Sequence, residues 1–341
     1  PTAVAAPATS STLPAAAGDA SAWTTSQAYL AHFTVTDVAA DRFHSAERFA
    51  RGALGLAGAA ADPYRVWVGP WSAAARAVAG PAGGHGAAGG VRLRASDGPV
   101  AIDVTLRPAK APARHGRDGL SAKGPEPGNA SFYYSYTRLA ATGVVTTAAG
   151  TWPVEGGAWM DHEWSTSALA AGRTGWDWFS LQLDDGTDVM AFQIRDAAGA
   201  AAPESSGSLV DRAGAVTTLA ADAFTLTPRG TWRSPRTGAR YPAGWRLAAP
   251  SAGLDLAITP LLADQELATG FRYWEGAVTA AGTAGGRPVR GRGYVELTGY
   301  ADAVGPAAAS VTIPAAAGRV TLSRARAIGH APAVRIDGAT R

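Results

Sequence analysis

Trp176–Leu183 (WDWFSLQL) and Asp188–Arg195 (DVMAFQIR), separated by Asp184-Asp185-Gly186-Thr187, decide the fold class of this 341-residue chain. Both flanks are short runs of apolar and aromatic residues interrupted by polar ones, the pattern of a strand with a buried face. The Asp-Gly step between them supplies the positive φ that a tight antiparallel turn requires. The segment reads as a β-hairpin. Toward the C-terminus the same pattern recurs at Gly207–Val210, Ala223–Thr227 with Thr231–Arg233, Gly244–Ala248, Leu254–Thr259, Phe271–Ala277 and Val289–Thr298. From Trp176 to Tyr300 that makes about eight strands, enough to close an antiparallel barrel around a small cavity.

Toward the N-terminus, strands are expected at Gln27–Thr36, Tyr64–Val68, Val91–Arg94, Val100–Leu106, Phe132–Leu139, Val144–Thr147 and Ala158–Trp164. Ser45–Leu56 (SAERFARGALGL) is expected to be a short helix. Ser165–Gly175, without periodicity, reads as a linker between two all-β domains, 23–168 and 175–303. Residues 1–22, rich in Ala, Pro, Ser and Thr, read as a flexible arm. Residues 304–341 form a tail with weak strand signals at Ser310–Ile313, Val320–Ser323 and Val334–Ile336.

Composition narrows the function. The chain has no cysteine, so disulfides, a thiolate nucleophile and a cysteine-based zinc site are excluded. Thirty Lys and Arg against 27 Asp and Glu leave a net charge of +3, too little for a phosphate-tracking stripe, and no nucleic-acid partner is expected. Apolar runs break well before the roughly 18 residues of a membrane helix, so no transmembrane segment is expected. Gly84-His85-Gly86-Ala87-Ala88-Gly89 has the spacing of a dinucleotide loop but lacks the strand before it and the helix after it. His162-Glu163 is not followed by the second histidine of a zinc helix, since position 166 is Thr. Neither a cofactor nor a metal is expected.

Eleven Trp, nine Tyr and eight Phe stand in a background of Ala and Gly, so large rings must supply core and pocket walls. The chemistry is densest at Trp159-Met160-Asp161-His162-Glu163-Trp164, followed by Trp176-Asp177-Trp178. On a strand, His162 and Trp164 share one face and Asp161 and Glu163 the other. The same period groups Tyr134 with Tyr136 and Arg138, and Tyr294 with Glu296. Together with Tyr273-Trp274-Glu275, these rings, each carrying at most one polar atom, suit a cavity for a large and mostly apolar small molecule.

The segments AYLAHFTVTD, RFHSAERFARGALGLAG, VWVGPW, LSAKGPEPGNASFYYSYTRLAATG, VEGGAWMDHEWS, GWDWFSLQLDDGTDVMAFQIRD, TWRSPRTGARYPAGWRL, YWEGAV and GRGYVELTGY resemble the AttH-like branch of the carotenoid 1,2-hydratase (hydroxyneurosporene synthase) family, over roughly Tyr29 to Tyr300. The resemblance implies two tandem lipocalin-like antiparallel β-barrels and, in bacteria, an exported protein, although no basic-then-apolar leader is read here. It also implies a cofactor-independent hydratase or isomerase acting on an isoprenoid-like substrate. His162-Glu163-Trp164 matches the family's His-x-Trp element, which makes His162 the base that takes the proton of water. Trp164, with Trp176 and Trp178, becomes the wall that faces a cation. Asp161 is the adjacent acid if a β-bulge brings it round, with Asp177, Glu275 and Glu296 as alternatives. Tyr134, Tyr136, Trp176, Trp178, Tyr273, Trp274, Glu275 and Tyr294 are expected to line the substrate. The chain departs from the family at Phe192 and Gln193, where hydratases carry a tyrosine and an aspartate. It also lacks the Glu-Trp-Trp-Tyr opening strand, which implies a first barrel short of its first strands. The alternatives are a non-catalytic carrier of lipid or pigment in the bacterial envelope and, third, a secreted hydrolase.

Overall fold

A computed structural model describes residues 2–6, 23–25, 27–76, 90–165, 169–270, 272–301, 312–315 and 318–321. The glycine-rich 84–89 stretch, most of the 1–22 arm and the Val334–Ile336 signal lie outside these residues. Three strands open the chain as one antiparallel sheet: β1 (Thr2–Ala6), β2 (Ala28–Asp37) and β3 (Arg42–Arg51). Nine more form the main sheet of the first half. They are β4 (Ala57–Ala61), β5 (Tyr64–Val68), β6 (Trp71–Ala75), β7 (Val91–Asp97), β8 (Val100–Pro108), β9 (Ala113–Arg114), β10 (Leu120–Ala122), β11 (Ala130–Thr147) and β12 (Gly150–Ser165). Strand β11, 18 residues long, pairs with β8 through its C-terminal half, with β9 and β10 through its N-terminal part, and with β12 along its length.

The second half contains β13 (Arg173–Leu183), β14 (Asp188–Asp196), β15 (Ser206–Val210), β16 (Val216–Leu219), β17 (Thr225–Pro228), β18 (Thr231–Arg233), β19 (Arg240–Pro242), β20 (Trp245–Ala249), β21 (Leu254–Pro260), β22 (Glu266–Ala268), β23 (Arg272–Ala284) and β24 (Arg287–Thr298). All but the β18–β19 pair belong to one curled sheet, in which β13 lies between β14 and β24. A last pair, β25 (Thr312–Ala315) and β26 (Gly318–Thr321), follows. The β13–β14 hairpin turns as the Asp-Gly step requires: Gly186 has φ 91°, its N–H bonds Leu183 O, and Leu183 N–H bonds Thr187 O.

Ser45–Leu56 is not a helix. Its first part is β3, paired residue for residue with β2 from Asp37↔Arg42 to Ala28↔Arg51, and the chain then turns through Leu54 and Gly55, both at positive φ. A ten-residue ladder with β2 pairs the inward-facing backbone groups of Arg42–Arg51, in a segment too glycine-broken to hold a helix alone.

Both halves are lipocalin-like antiparallel barrels, each curled around its own core. The first core gathers Phe33, Trp71, Leu93, Val104 and Leu106. In the second, Trp245, Trp274, Phe179, Leu181 and Leu247 fill the interior, each 2% exposed or less. Where the strand count suggests a small cavity, rings occupy the space. A third cluster, Tyr133, Trp159, Trp178, Met190, Phe192 and Ile194, draws on β11, β12, β13 and β14 and joins the two halves. Each such side chain, once buried, contributes roughly 1.5–3 kcal/mol to the association. Strand β2 adds polar contacts across the junction, including Thr36 Oγ1 donating to Gln265 Oε1 at 2.8 Å.

Candidate active site

The β11–β12 ladder sets Phe132 opposite Trp164, Tyr134 opposite His162 and Tyr136 opposite Met160. Alternation places these six on one face, toward the first core, where Tyr136 and Met160 pack. His162 Nδ1 lies 2.9 Å from the Tyr134 hydroxyl. The indole of Trp164 sits 4.9 Å from the imidazole and stacks on Phe132 at 5.5 Å. This end of the face is open: Trp164 is 43% and Phe132 55% exposed. Although part of the imidazole meets solvent, crowding by the surrounding rings lowers the pKa of His162. Burial, then Tyr136 and Tyr64, raise that of Tyr134. At neutral pH the pair is a neutral imidazole and a protonated phenol.

The opposite face of the same two strands is closed. Asp161 and Glu163 point there with Ser131, Tyr133 and Ser135, all five buried. Ser131 donates its hydroxyl proton to Glu163, which also holds Lys123 Nζ at 2.8 Å. Asp161 accepts from the Ser135 hydroxyl and, at 2.6 Å, from Trp159 Nε1. His115, wholly buried, bridges Ser135 through Nε2 (2.7 Å) and Ser208 of the second half through Nδ1 (3.0 Å). Burial, with a smaller push from the Lys123 charge, lowers the His115 pKa to about 3. The Lys123 ammonium lies 4.0 Å over the Phe192 ring, and Trp178 Nε1 donates to the Tyr133 hydroxyl at 3.0 Å. Buried polar groups of this kind are costly unless partnered, and here each named group has a partner.

Trp176, Trp178, Tyr273, Glu275 and Tyr294 share the outer face of β13, β23 and β24, against the first half rather than inside the second barrel. Trp176 Nε1 donates to Glu296 Oε1 at 2.7 Å, and the Tyr294 hydroxyl donates to Glu275 Oε2 at 3.0 Å. Glu275 and Glu296 are register partners. Tyr273 meets His32 of β2 edge-on at 6.0 Å. Trp274, one residue along, turns into the second core and donates to Ala263 O. Asp177 is buried in an ion pair with Arg195 at 2.9 Å and accepts from the Tyr300 hydroxyl.

The predicted site residues therefore separate. His162, Trp164, Tyr134 and Tyr136 come together. Asp161 stays on the other face, because pairing from Tyr136↔Met160 to Ser131↔Ser165 is regular and no bulge turns it. Trp176 and Trp178 are not beside His162, so Trp164 is the indole of that face. Arg138 leaves Tyr134 and Tyr136: a register shift between Tyr136 and Leu139 redirects it to Asp188, with Nη2 2.6 Å from Oδ1. Sequence reading missed His115, Lys123, Ser131, Ser135 and Ser208. The alternation of Ser131, Tyr133, Ser135 and Thr137 was the available sign of a polar buried face; the partners from residues 115 and 208 had none.

No curated protein matches this chain. Among solved structures, a Nitrosomonas europaea protein assigned as an AttH is 34% identical over 81% of both chains, with a TM-score of 0.70. Kievitone hydratase from Nectria haematococca is 17% identical, over 81% of this chain and 80% of its own, with a TM-score of 0.64, a likeness of fold. The AttH-like family pattern matches residues 8–300. With that span and the 34% identity, this chain belongs to the AttH-like family.

Proposed function

We propose that the protein is a cofactor-independent hydratase acting on an apolar, isoprenoid-like small molecule held against the open aromatic face of β11 and β12. The observation that carries this reading is the 2.9 Å contact between His162 Nδ1 and the Tyr134 hydroxyl beneath Trp164. When Nδ1–H donates to the phenol oxygen, Nε2 is left to accept a proton from water, and the phenol keeps its own proton to give. Water then adds its oxygen to one alkene carbon while Tyr134 protonates the other, and the proton on His162 returns to Tyr134. An acid and a base suffice for this addition. Because a phenol is a weak acid, the reading favours an alkene polarised by conjugation. Trp164, Phe132 and Tyr136 supply the apolar walls. Kievitone hydratase, whose name records a hydration, has the same fold, which supports the choice of reaction class. The family resemblance supports an exported protein, which fractionation of cells carrying the whole gene tests.

Incubation of the protein with an isoprenoid and lipid extract, followed by mass spectrometry, tests the reaction. A component gaining one water is expected with wild type and is expected to fall about 10²- to 10⁴-fold with His162→Ala or Tyr134→Phe. A component retained unchanged by all three proteins would make this face a carrier surface instead.

A further inference from the structure

A cleft of about 850 Å³ lies between the halves, away from His162. Its far wall is the outer face of four adjacent strands, β13, β24, β23 and β21, and its near wall is Gly157–Trp159 of β12 with Arg138 of β11. Register fixes what the far wall presents: Arg292 stands between Gln182 and Thr279, Tyr294 lies beside Ser180, and Arg290 faces Ala281. Gln182 closes one side by donating to Thr137 O and Ala158 O. Trp159 and Tyr294, with alanines of β21 and β23, make an apolar bed of a size suited to a lipid-like molecule.

The charge of the cleft is uneven. Arg138 and Lys110 share the single buried carboxylate of Asp188, at 2.6 and 2.8 Å. Arg290 and Arg292 stand exposed on the wall, and Asp184, the carboxylate of the lining, accepts the backbone N–H of Arg290. Within the lining, three guanidinium groups, Arg138, Arg290 and Arg292, stand with one carboxylate, Asp184, in a chain whose whole net charge is only +3. Guanidinium groups pair with carboxylate and phosphate oxygens in two-point contacts.

We propose that this cleft binds an apolar molecule ending in an anionic group, with Arg290 and Arg292 holding the anion and Trp159 and Tyr294 the apolar body. The test is fluorescence titration with cis-parinaric acid and its methyl ester, and displacement by dodecyl phosphate. Wild type is expected to bind the acid or the phosphate at least about tenfold more tightly than the ester. The double variant Arg290→Ala/Arg292→Ala, whose side chains are exposed and should not disturb folding, is expected to lose that preference. Arg290→Lys/Arg292→Lys should keep most of it. Displacement by the phosphate alone would assign a phosphate end group and binding of the acid a carboxylate, both supporting the proposal. Equal affinity for acid and ester without displacement by the phosphate, unchanged anion affinity in the alanine double variant, or no binding of either anion by wild type would overturn it.

Discussion

The two faces of strand β12 differ as much as any two parts of this molecule. One carries Met160, His162 and Trp164 and runs from the first core out to solvent; the other carries Asp161 and Glu163 and is sealed against the second half. A strand that alternates with period two can give neighbouring residues opposite surroundings: Asp161 and Glu163 are buried at the junction, and His162 and Trp164 stay on the side that opens to solvent. The lesson is that clustering of chemical groups along the chain, as in WMDHEW, does not make one site.

Substitutions on the two faces should therefore have opposite signatures. The largest loss of stability is expected for Glu163→Ala, which leaves the half-buried Lys123 without its carboxylate, about 3–5 kcal/mol. Urea unfolding measures it, and a loss under about 1 kcal/mol would mean that the junction opens to water at this point. Next is the pH response of the sealed face. Because His115 has a folded pKa of about 3, below the 6.5 of a free imidazole, its contribution is complete above pH 6.5 and is lost as pH falls toward 3. In His115→Asn, stability should decline by roughly 4 kcal/mol less across that window than in wild type. Parallel pH–stability curves for the two proteins would show that His115 is not held neutral. Trp164→Ala should cost about 1 kcal/mol, the worth of its stack on Phe132, in the same unfolding experiment. The smallest change, within about 0.5 kcal/mol, is expected for His162→Ala, which lies on the open face.

Much of this was readable in the sequence. The Asp185-Gly186 turn announced its hairpin, because the glycine conformation and the flanking alternation agree. The separation of His162 from Asp161 followed from strand geometry alone. What could not be read was which face meets the other half, since that depends on partners more than forty residues away, such as Trp178 for Tyr133 and Ser208 for His115. The shift that turns Arg138 toward Asp188 adds one residue to a strand and leaves no compositional mark. Ser45–Leu56 misled because its helix-forming residues are overruled by a ladder with β2. The rings at Trp176, Trp178, Tyr273 and Tyr294 were expected inside a barrel and lie outside it, because Trp245, Trp274 and Phe179 already fill the interior.

The proposed reaction requires His162 to act on water at the open face. Reaction in ¹⁸O-labelled water with a hydrated substrate identified from the extract, run with wild type, His162→Ala and Tyr134→Phe under conditions where all three are folded, addresses it directly. One labelled oxygen should enter the product with wild type, and both variants should lose that incorporation by about 10²-fold or more. Incorporation by His162→Ala at the wild-type rate would contradict the account and move the chemistry away from this face.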